Sequence, residues 1–153
     1  MRCRLRMRLI ALLLMSAALG LEVLEAPPSA QAIVVPSFMQ QLRKVTAPDG
    51  AVNDHLGRAV AVSGDTMLTG APFAGDPGAA YVFVRVGQEW VFQQKLVAPD
   101  GAVDDYFGTA VALSGNTALI GSPDDNDNGA GSGSAYVFTR SGATWTFQQK
   151  LKA

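Results

Sequence analysis

The sequence predicts an all-β protein: two tandem four-stranded antiparallel units behind an N-terminal export signal. Three observations carry that prediction. A block of about fifty residues occurs twice, a period typical of repeat architectures. Within each copy, short apolar runs alternate with clusters of Gly, Pro, Asp and Asn, the pattern of strands and turns. The first 32 residues differ in composition from everything after them.

The repeat is legible residue by residue. Ala47-Pro48-Asp49-Gly50-Ala51-Val52-Asn53-Asp54 recurs as Ala98-Pro99-Asp100-Gly101-Ala102-Val103-Asp104-Asp105, and Ser63-Gly64-Asp65-Thr66 recurs as Ser114-Gly115-Asn116-Thr117, both at an offset of 51. Ala80 to Phe83 recurs as Ala135 to Phe138, and Trp90 to Leu96 as Trp145 to Leu151, at an offset of 55. The second copy therefore carries four extra residues between Pro123 and Ala135. Lys150 to Ala153 matches Lys44 to Ala47 and begins a third period.

Each copy predicts four strands. The first covers Leu56 to Ser63, or Phe107 to Ser114. It runs into Gly64-Asp65 or Gly115-Asn116, a two-residue hairpin signal with glycine first, as a type II′ turn requires. The second covers Thr66 to Gly70, or Thr117 to Gly121, and proline closes it because proline has no N–H for a ladder. The third covers Ala79 to Val86, or Ser134 to Arg140. Its apolar residues fall on both faces, which predicts cover on both sides. The fourth covers Trp90 to Val97, or Trp145 to Lys152. Simple alternation puts Trp90, Phe92, Gln94 and Leu96 on one face and Val91, Gln93 and Lys95 on the other. A further strand is expected at Met39 to Thr46, in register with the fourth strands and without a copy of its own to complete.

The N-terminus has the layout of a signal peptide. Arg2, Arg4, Arg6 and Arg8 precede an apolar run from Leu9 to Leu21, 13 residues long. That is short for a membrane span. Ala30-Gln31-Ala32 offers small residues at the places a signal peptidase reads, so cleavage is expected after Ala32, with Ala18-Leu19-Gly20 as a second site and an uncleaved anchor as the alternative. The expected location is extracellular or periplasmic, with no membrane span once the signal is removed. Cys3 lies in the segment to be lost, which leaves the exported chain without a thiol for disulfide, nucleophile or metal. Beyond residue 32 the chain keeps eight Lys/Arg and eleven Asp/Glu. That mildly acidic balance argues against nucleic acid as a partner.

Leu56-Gly57 and Phe107-Gly108, followed by Gly70-Ala71-Pro72 and Gly121-Ser122-Pro123 and then by Tyr-Val-Phe, resemble the FG-GAP repeat. The resemblance covers residues 45–153 and implies two antiparallel blades of an incomplete β-propeller, in a family used for binding or adhesion rather than chemistry. The segments are then 33–46 with the orphan strand, 47–97 as the first repeat and 98–153 as the second. Integrin-type blades carry an acidic calcium loop between the Phe-Gly and Gly-Ala-Pro strands; here that place is the tight Ser-Gly-Asp/Asn-Thr turn. The blade resembles the bacterial variant, whose acidic loop follows Gly-Ala-Pro.

In the second copy that loop is Asp124 to Ser132. Asp124, Asn126 and Asn128 alternate ahead of Gly129, and Ser132 stands at the ninth position, the spacing of oxygen ligands in the first half of a calcium loop. No late carboxylate follows, so the expected site is a weak calcium loop at Asp124, Asn126, Asn128 and Ser132, with a solvated turn as the plain alternative. The connectors Asp49 to Asp54 and Asp100 to Asp105 read as turn motifs joining the blades. His55 aligns with Tyr106 and has no catalytic partner in view. Trp90 and Trp145, beside Phe92 and Phe147, read as core. The function expected is a secreted, non-catalytic binding or structural module whose protein or glycan ligand is unnamed and which self-associates or joins partner blades. A secreted hydrolase is the competing class, and a fragment of a longer repeat protein is a third reading.

Overall fold

The computed structural model describes residues 43–153. The export signal and residues 39–42 of the orphan strand lie outside the described residues.

Two four-stranded antiparallel sheets make up the described chain, and it contains no helix and no closed barrel. The first sheet is β1 (Val60–Ser63), β2 (Thr66–Ala71), β3 (Ala79–Val86) and β4 (Glu89–Leu96), paired in that order. The second repeats it with β5 (Ala110–Ser114), β6 (Thr117–Ser122), β7 (Ser134–Ser141) and β8 (Thr144–Lys152). These are the two propeller-type blades expected from the repeat. Gly64 and Gly115 have φ of 57° and 53°, while Asp65 and Asn116 are not left-handed, as the type II′ turn demands.

Three expectations about the strands change. The first strand of each copy begins at Val60 or Ala110, not at Leu56 or Phe107. Gly57 and Gly108 sit at φ of 92° and 96°, a backbone that leaves the ladder, and their N–H groups reach the carbonyls of Gly70 and Gly121 at 3.0 Å. The fourth strand does not alternate simply. The register slips at Val82/Phe83, where Val82 pairs with Gln94 and Phe83 with Phe92, so Gln93 is the extra residue of a β-bulge. A bulge reverses the facing of the residues beyond it. Trp90, Phe92 and Lys95 therefore join Tyr81 and Phe83 on an aromatic face, and Gln94 and Leu96 join Leu68 and Val82 on an aliphatic face. β8 has the same slip at Val137/Phe138, with Gln148 as the extra residue. Finally, Arg43–Thr46 of the orphan strand form no strand, although Val45 and Ala47 pack on the aromatic side of the first blade.

The blades stack with the aliphatic face of the first against the aromatic face of the second. Leu68, Val82 and Leu96 meet Phe107, Ile120, Tyr136, Phe138 and Trp145 in one core. β3 is accordingly buried on both faces, as expected. β7 is buried only at Tyr136 and Phe138, and Val137, on its other face, is half-buried. Phe107 is fully buried with its ring 5.3 Å from Tyr136 and 6.2 Å from Phe138.

Two backbones make contact at the centre of this interface. A Cβ placed on Gly70 would lie 1.8 Å from the carbonyl oxygen of Gly108, and one on Gly108 would lie 2.3 Å from that of Ala79. The glycine of Gly-Ala-Pro in the first blade thus receives the glycine of Phe-Gly in the second. The residue before Gly108 anchors the same seam: Phe107 N–H donates to Pro77 O at 2.9 Å, and Phe107 bridges Gly78 in parallel fashion.

The contrast between the two Gly-Ala/Ser-Pro glycines gives a direct test. Gly70→Ala drives a methyl into backbone and is expected to cost about 2–3 kcal/mol. At Gly121 the nearest atom to an added Cβ is Ala110 Cβ at 3.4 Å. Gly121→Ala is therefore expected to stay within about 0.5 kcal/mol of the parent. Urea unfolding of both variants reads the difference.

Candidate functional site

The polar chemistry of the chain concentrates where the connector into the second blade meets the loop after β6. Lys150, on the aromatic face of β8 because of the bulge, places its Nζ 3.0 Å from Asp100, 2.7 Å from Asp125 and 2.6 Å from Asp127. Lys150 and Asp125 are buried, with side chains 7% and 2% exposed. The Tyr136 hydroxyl lies 2.7 Å from Asp125 Oδ2 and 2.9 Å from Asp100 Oδ1 and has one proton to donate between them. The Tyr136 ring sits under the ammonium, 5.1 Å from it.

Lys150, Asp125, Asp127 and Tyr136 titrate away from their ordinary values. Burial pulls the Lys150 ammonium down, but its bonds to Asp125, Asp127, Tyr136 and Asp100 outweigh this and raise its pKa. Lys150 first, and then Lys152, hold the Asp127 carboxyl down at about 2. Burial alone would raise Asp125; Lys150 and Tyr136 reverse that and lower it. Burial raises the Tyr136 phenol, and its acidic neighbours add to the rise. A carboxylate held this firmly on a lysine is a weak base, so the cluster is built to fasten a loop.

The expected calcium ligands are placed differently from one another. Asp124 is exposed and makes no side-chain hydrogen bond among the described residues. Asn126 Oδ1 accepts from Gly131 N–H at 2.7 Å, Asn128 Nδ2 donates to Ala153 O at 2.6 Å, and Ser132 Oγ donates to Asp125 O at 3.2 Å. Asp125 and Asp127, which the alternating count passes over, are the carboxylates that turn inward onto Lys150. Among the described residues no three His, Cys, Asp or Glu are grouped to hold a metal ion.

The first blade has the same cluster in reduced form. Lys95 pairs with Asp49 at 2.7 Å and lies 5.4 Å from the Tyr81 ring. Ala74 occupies the place of Asp125, and the buried Tyr81 hydroxyl has no hydrogen-bond partner among the described residues. The repeat offsets already pair Lys95 with Lys150, Tyr81 with Tyr136 and Asp49 with Asp100. Simple alternation hides the cluster by putting Lys95 and Lys150 on the wrong face.

The connectors are tight turns with left-handed residues at Asn53, His55, Asp104 and Tyr106. Asp54 and Asp105 each accept from a backbone N–H three residues back, at Ala51 and Ala102, at 2.6 and 2.7 Å. His55 meets the edge of Phe73 at 4.8 Å, and Phe73 meets Tyr106 at 5.2 Å. A cavity of about 420 Å³ lies beneath the first connector, bordered by Lys44, Gly50, His55, Leu56 and Tyr81. Trp145 is buried and donates Nε1–H to Gln93 at 3.1 Å, while Trp90 is half-buried.

An FG-GAP repeat model matches residues 39–83 and again 90–138, which together exceed half the chain. The chain belongs to the FG-GAP repeat family. The second matched unit begins in β4 of the first blade and ends in β7 of the second, and the glycine seam joins Gly70 of the first matched unit to Gly108 of the second. No curated protein matches the chain.

The Lys150 cluster predicts an acid-sensitive stability. Asp127 has a folded pKa of about 2 against an ordinary 3.8. Its contribution is present above the unfolded value and is lost as pH falls from about 4 through 2. Lys150→Met leaves Asp125 buried without its cation and is expected to cost about 3–5 kcal/mol near neutrality. It should also flatten the acid limb of the melting curve. Calorimetric melting of both proteins between neutral pH and about pH 2 checks both effects.

Proposed function

We propose that this FG-GAP chain is an exported, non-catalytic, adhesion-type module that acts by binding protein through the open aliphatic face of its second blade. The observation that carries this reading is a difference between twins. Leu68 and Leu96 of the first blade are 0% and 2% exposed in the inter-blade core, while Leu119 and Leu151 in the same places on the second blade are 39% and 44% exposed. Contiguous exposed apolar surface on a folded domain marks an interaction site. An apolar sheet face suits a protein partner better than a glycan.

The absence of catalysis is supported by how the polar groups are used. Lys150 holds Asp125 and Asp127, connector backbone engages Asp54 and Asp105, and His55 packs edge to face with Phe73. Export rests on the N-terminal layout of the sequence. Calcium enters as a weak ligand of the loop through the exposed Asp124, with Lys150 keeping the loop closed in its absence.

Sedimentation velocity of the exported chain, whose N-terminus is expected at Ile33, tests the proposal. Association is expected to rise with concentration and to be reduced by Leu119→Asp. A monomer at all concentrations that binds no hydrophobic dye overturns it. On the same sample, titration calorimetry with millimolar calcium should read at most one weak site, lost in Asp124→Ala; heat of dilution alone removes calcium from the proposal.

A further inference from the structure

The repeat gives each blade the same tyrosine, lysine and connector aspartate, and only the second blade completes the arrangement. There the Tyr136 hydroxyl and the Lys150 ammonium converge on one internal carboxylate oxygen, Asp125 Oδ2, which lies 2.7 Å from each. Asp125 Oδ1 accepts from the Asp127 N–H at 3.1 Å. In the first blade Tyr81, Lys95 and Asp49 stand at the same places, and Ala74 stands where Asp125 would. Two observations mark the loss of that carboxylate. The Tyr81 hydroxyl is buried with no hydrogen-bond partner among the described residues. Lys95 pairs with Asp49 alone among the described carboxylates, and its side chain is 33% exposed against 7% for Lys150.

The cavity of about 420 Å³ beneath the first connector has Tyr81 in its wall. Buried side-chain atoms of Thr69, Tyr81, Asp105 and Ser134 lack a partner among the described residues, and Tyr81 is the one of these that borders the cavity. A buried hydroxyl left unpaired is destabilising, so a ligand that pairs it is favoured. Val45, Ala47, Leu56 and Ala71 give the cavity an apolar wall, and Lys44 and His55 border it. Its volume is that of a small-ligand site. The charge balance also allows an acid. Three carboxylates surround Lys150 in the second blade, whereas one meets Lys95 in the first.

We propose that the first blade binds a small organic carboxylate in this cavity. The ligand's carboxylate takes the place of Asp125 between Tyr81 and Lys95, and its apolar body lies against Leu56 and Ala71. The second blade shows the chemistry that this tyrosine–lysine pair selects: one anionic oxygen that accepts from the phenol and the ammonium together. An alcohol of the same shape brings no charge to Lys95, and a phosphate brings a second charge beside Asp49. Tyr81 is 0% exposed, so the connector shifts to let the ligand reach its hydroxyl. The Lys95–Asp49 pair that ties the connector to β4 is partly exposed and correspondingly weak. The site lies on the aromatic face of the first blade and is independent of the binding role proposed for the aliphatic face of the second.

The test is an NMR titration of the isotope-labelled exported chain with hexanoate, hexanol and inorganic phosphate as probes. Hexanoate is expected to shift the amides of Leu56, Ala71 and Tyr81 saturably, and hexanol and phosphate are not. Tyr81→Phe keeps the ring and removes only the hydroxyl; it should weaken hexanoate by about tenfold, the loss of a hydrogen bond to a charged group. Without hexanoate the same variant should melt no lower than the parent, because it removes an unpaired hydroxyl. Ala74→Asp supplies the carboxylate from within the chain and should abolish hexanoate binding while raising the melting midpoint. Acetyl-alanyl-leucine with a free or an amidated C terminus separates the sources. Tighter binding of hexanoate marks a free acid, tighter binding of the free peptide marks a chain terminus, and either upholds the carboxylate class. Equal binding of the amidated peptide overturns it. No saturable shift with any carboxylate also overturns the proposal. Hexanol binding as tightly as hexanoate means an apolar cavity only, and phosphate doing so means a general anion patch; both overturn it. A Tyr81→Phe variant that melts lower than the parent and binds hexanoate unchanged shows that the hydroxyl is already satisfied within the chain, again against it. If Ala74→Asp does not fold, Tyr81→Phe decides alone.

Discussion

The closest constraint on the described chain is the meeting of two backbones at Gly70 and Gly108. Neither position has room for one more carbon atom. Because the main chains touch there, the surrounding side chains come into register. Phe107 enters the core beside Tyr136 and Phe138, Pro77 O receives its N–H, and Gln94 reaches the start of β8. Moving the blades apart by the width of a methyl group would loosen all of these together, since packed interiors have little free volume to absorb the shift. The family signature is in this sense a contact between neighbours, since Gly70 of the first matched repeat meets Gly108 of the second.

The loops are fastened by a different device. A buried lysine with three carboxylates and a phenol around it fixes the connector, the long loop after β6 and the last strand to one another. Such an assembly is costly to desolvate and costly to break, so its contribution is felt mainly as a single permitted arrangement of the loops. The first blade, with Ala74 where the second has Asp125, keeps only the Lys95–Asp49 pair. The four residues inserted into the second copy and its richer polar cluster belong to the same loop, which is where the two blades differ most in chemistry.

Much of the architecture is legible in the sequence, for a physical reason: period-two strands, glycine-first hairpins and a doubled motif are local signals. β3 has the bounds that its apolar run predicts. The strand starts at Leu56 and Phe107 mislead because a left-handed glycine follows each, and apolar residues ahead of it pack without entering a ladder. The facing of Gln94, Leu96 and Lys95 is hidden because a bulge is one residue long and leaves the composition of the strand unchanged. That one residue also conceals the candidate site. Simple alternation sends Lys150 away from Tyr136, whereas the bulge brings it over the ring. Asp125 is passed over in favour of Asp124, Asn126 and Asn128 because spacing alone cannot tell which carboxylates of a loop turn inward.

The glycine seam is expected to make the two repeats one cooperative unit. Native-state hydrogen exchange tests it most directly. The slowest amides of β3 and β7 should exchange with the same opening free energy, and Gly70→Ala should lower both by the same amount. Slow amides in β7 that keep their protection while those of β3 lose theirs would show two blades that fold independently, and would contradict the account.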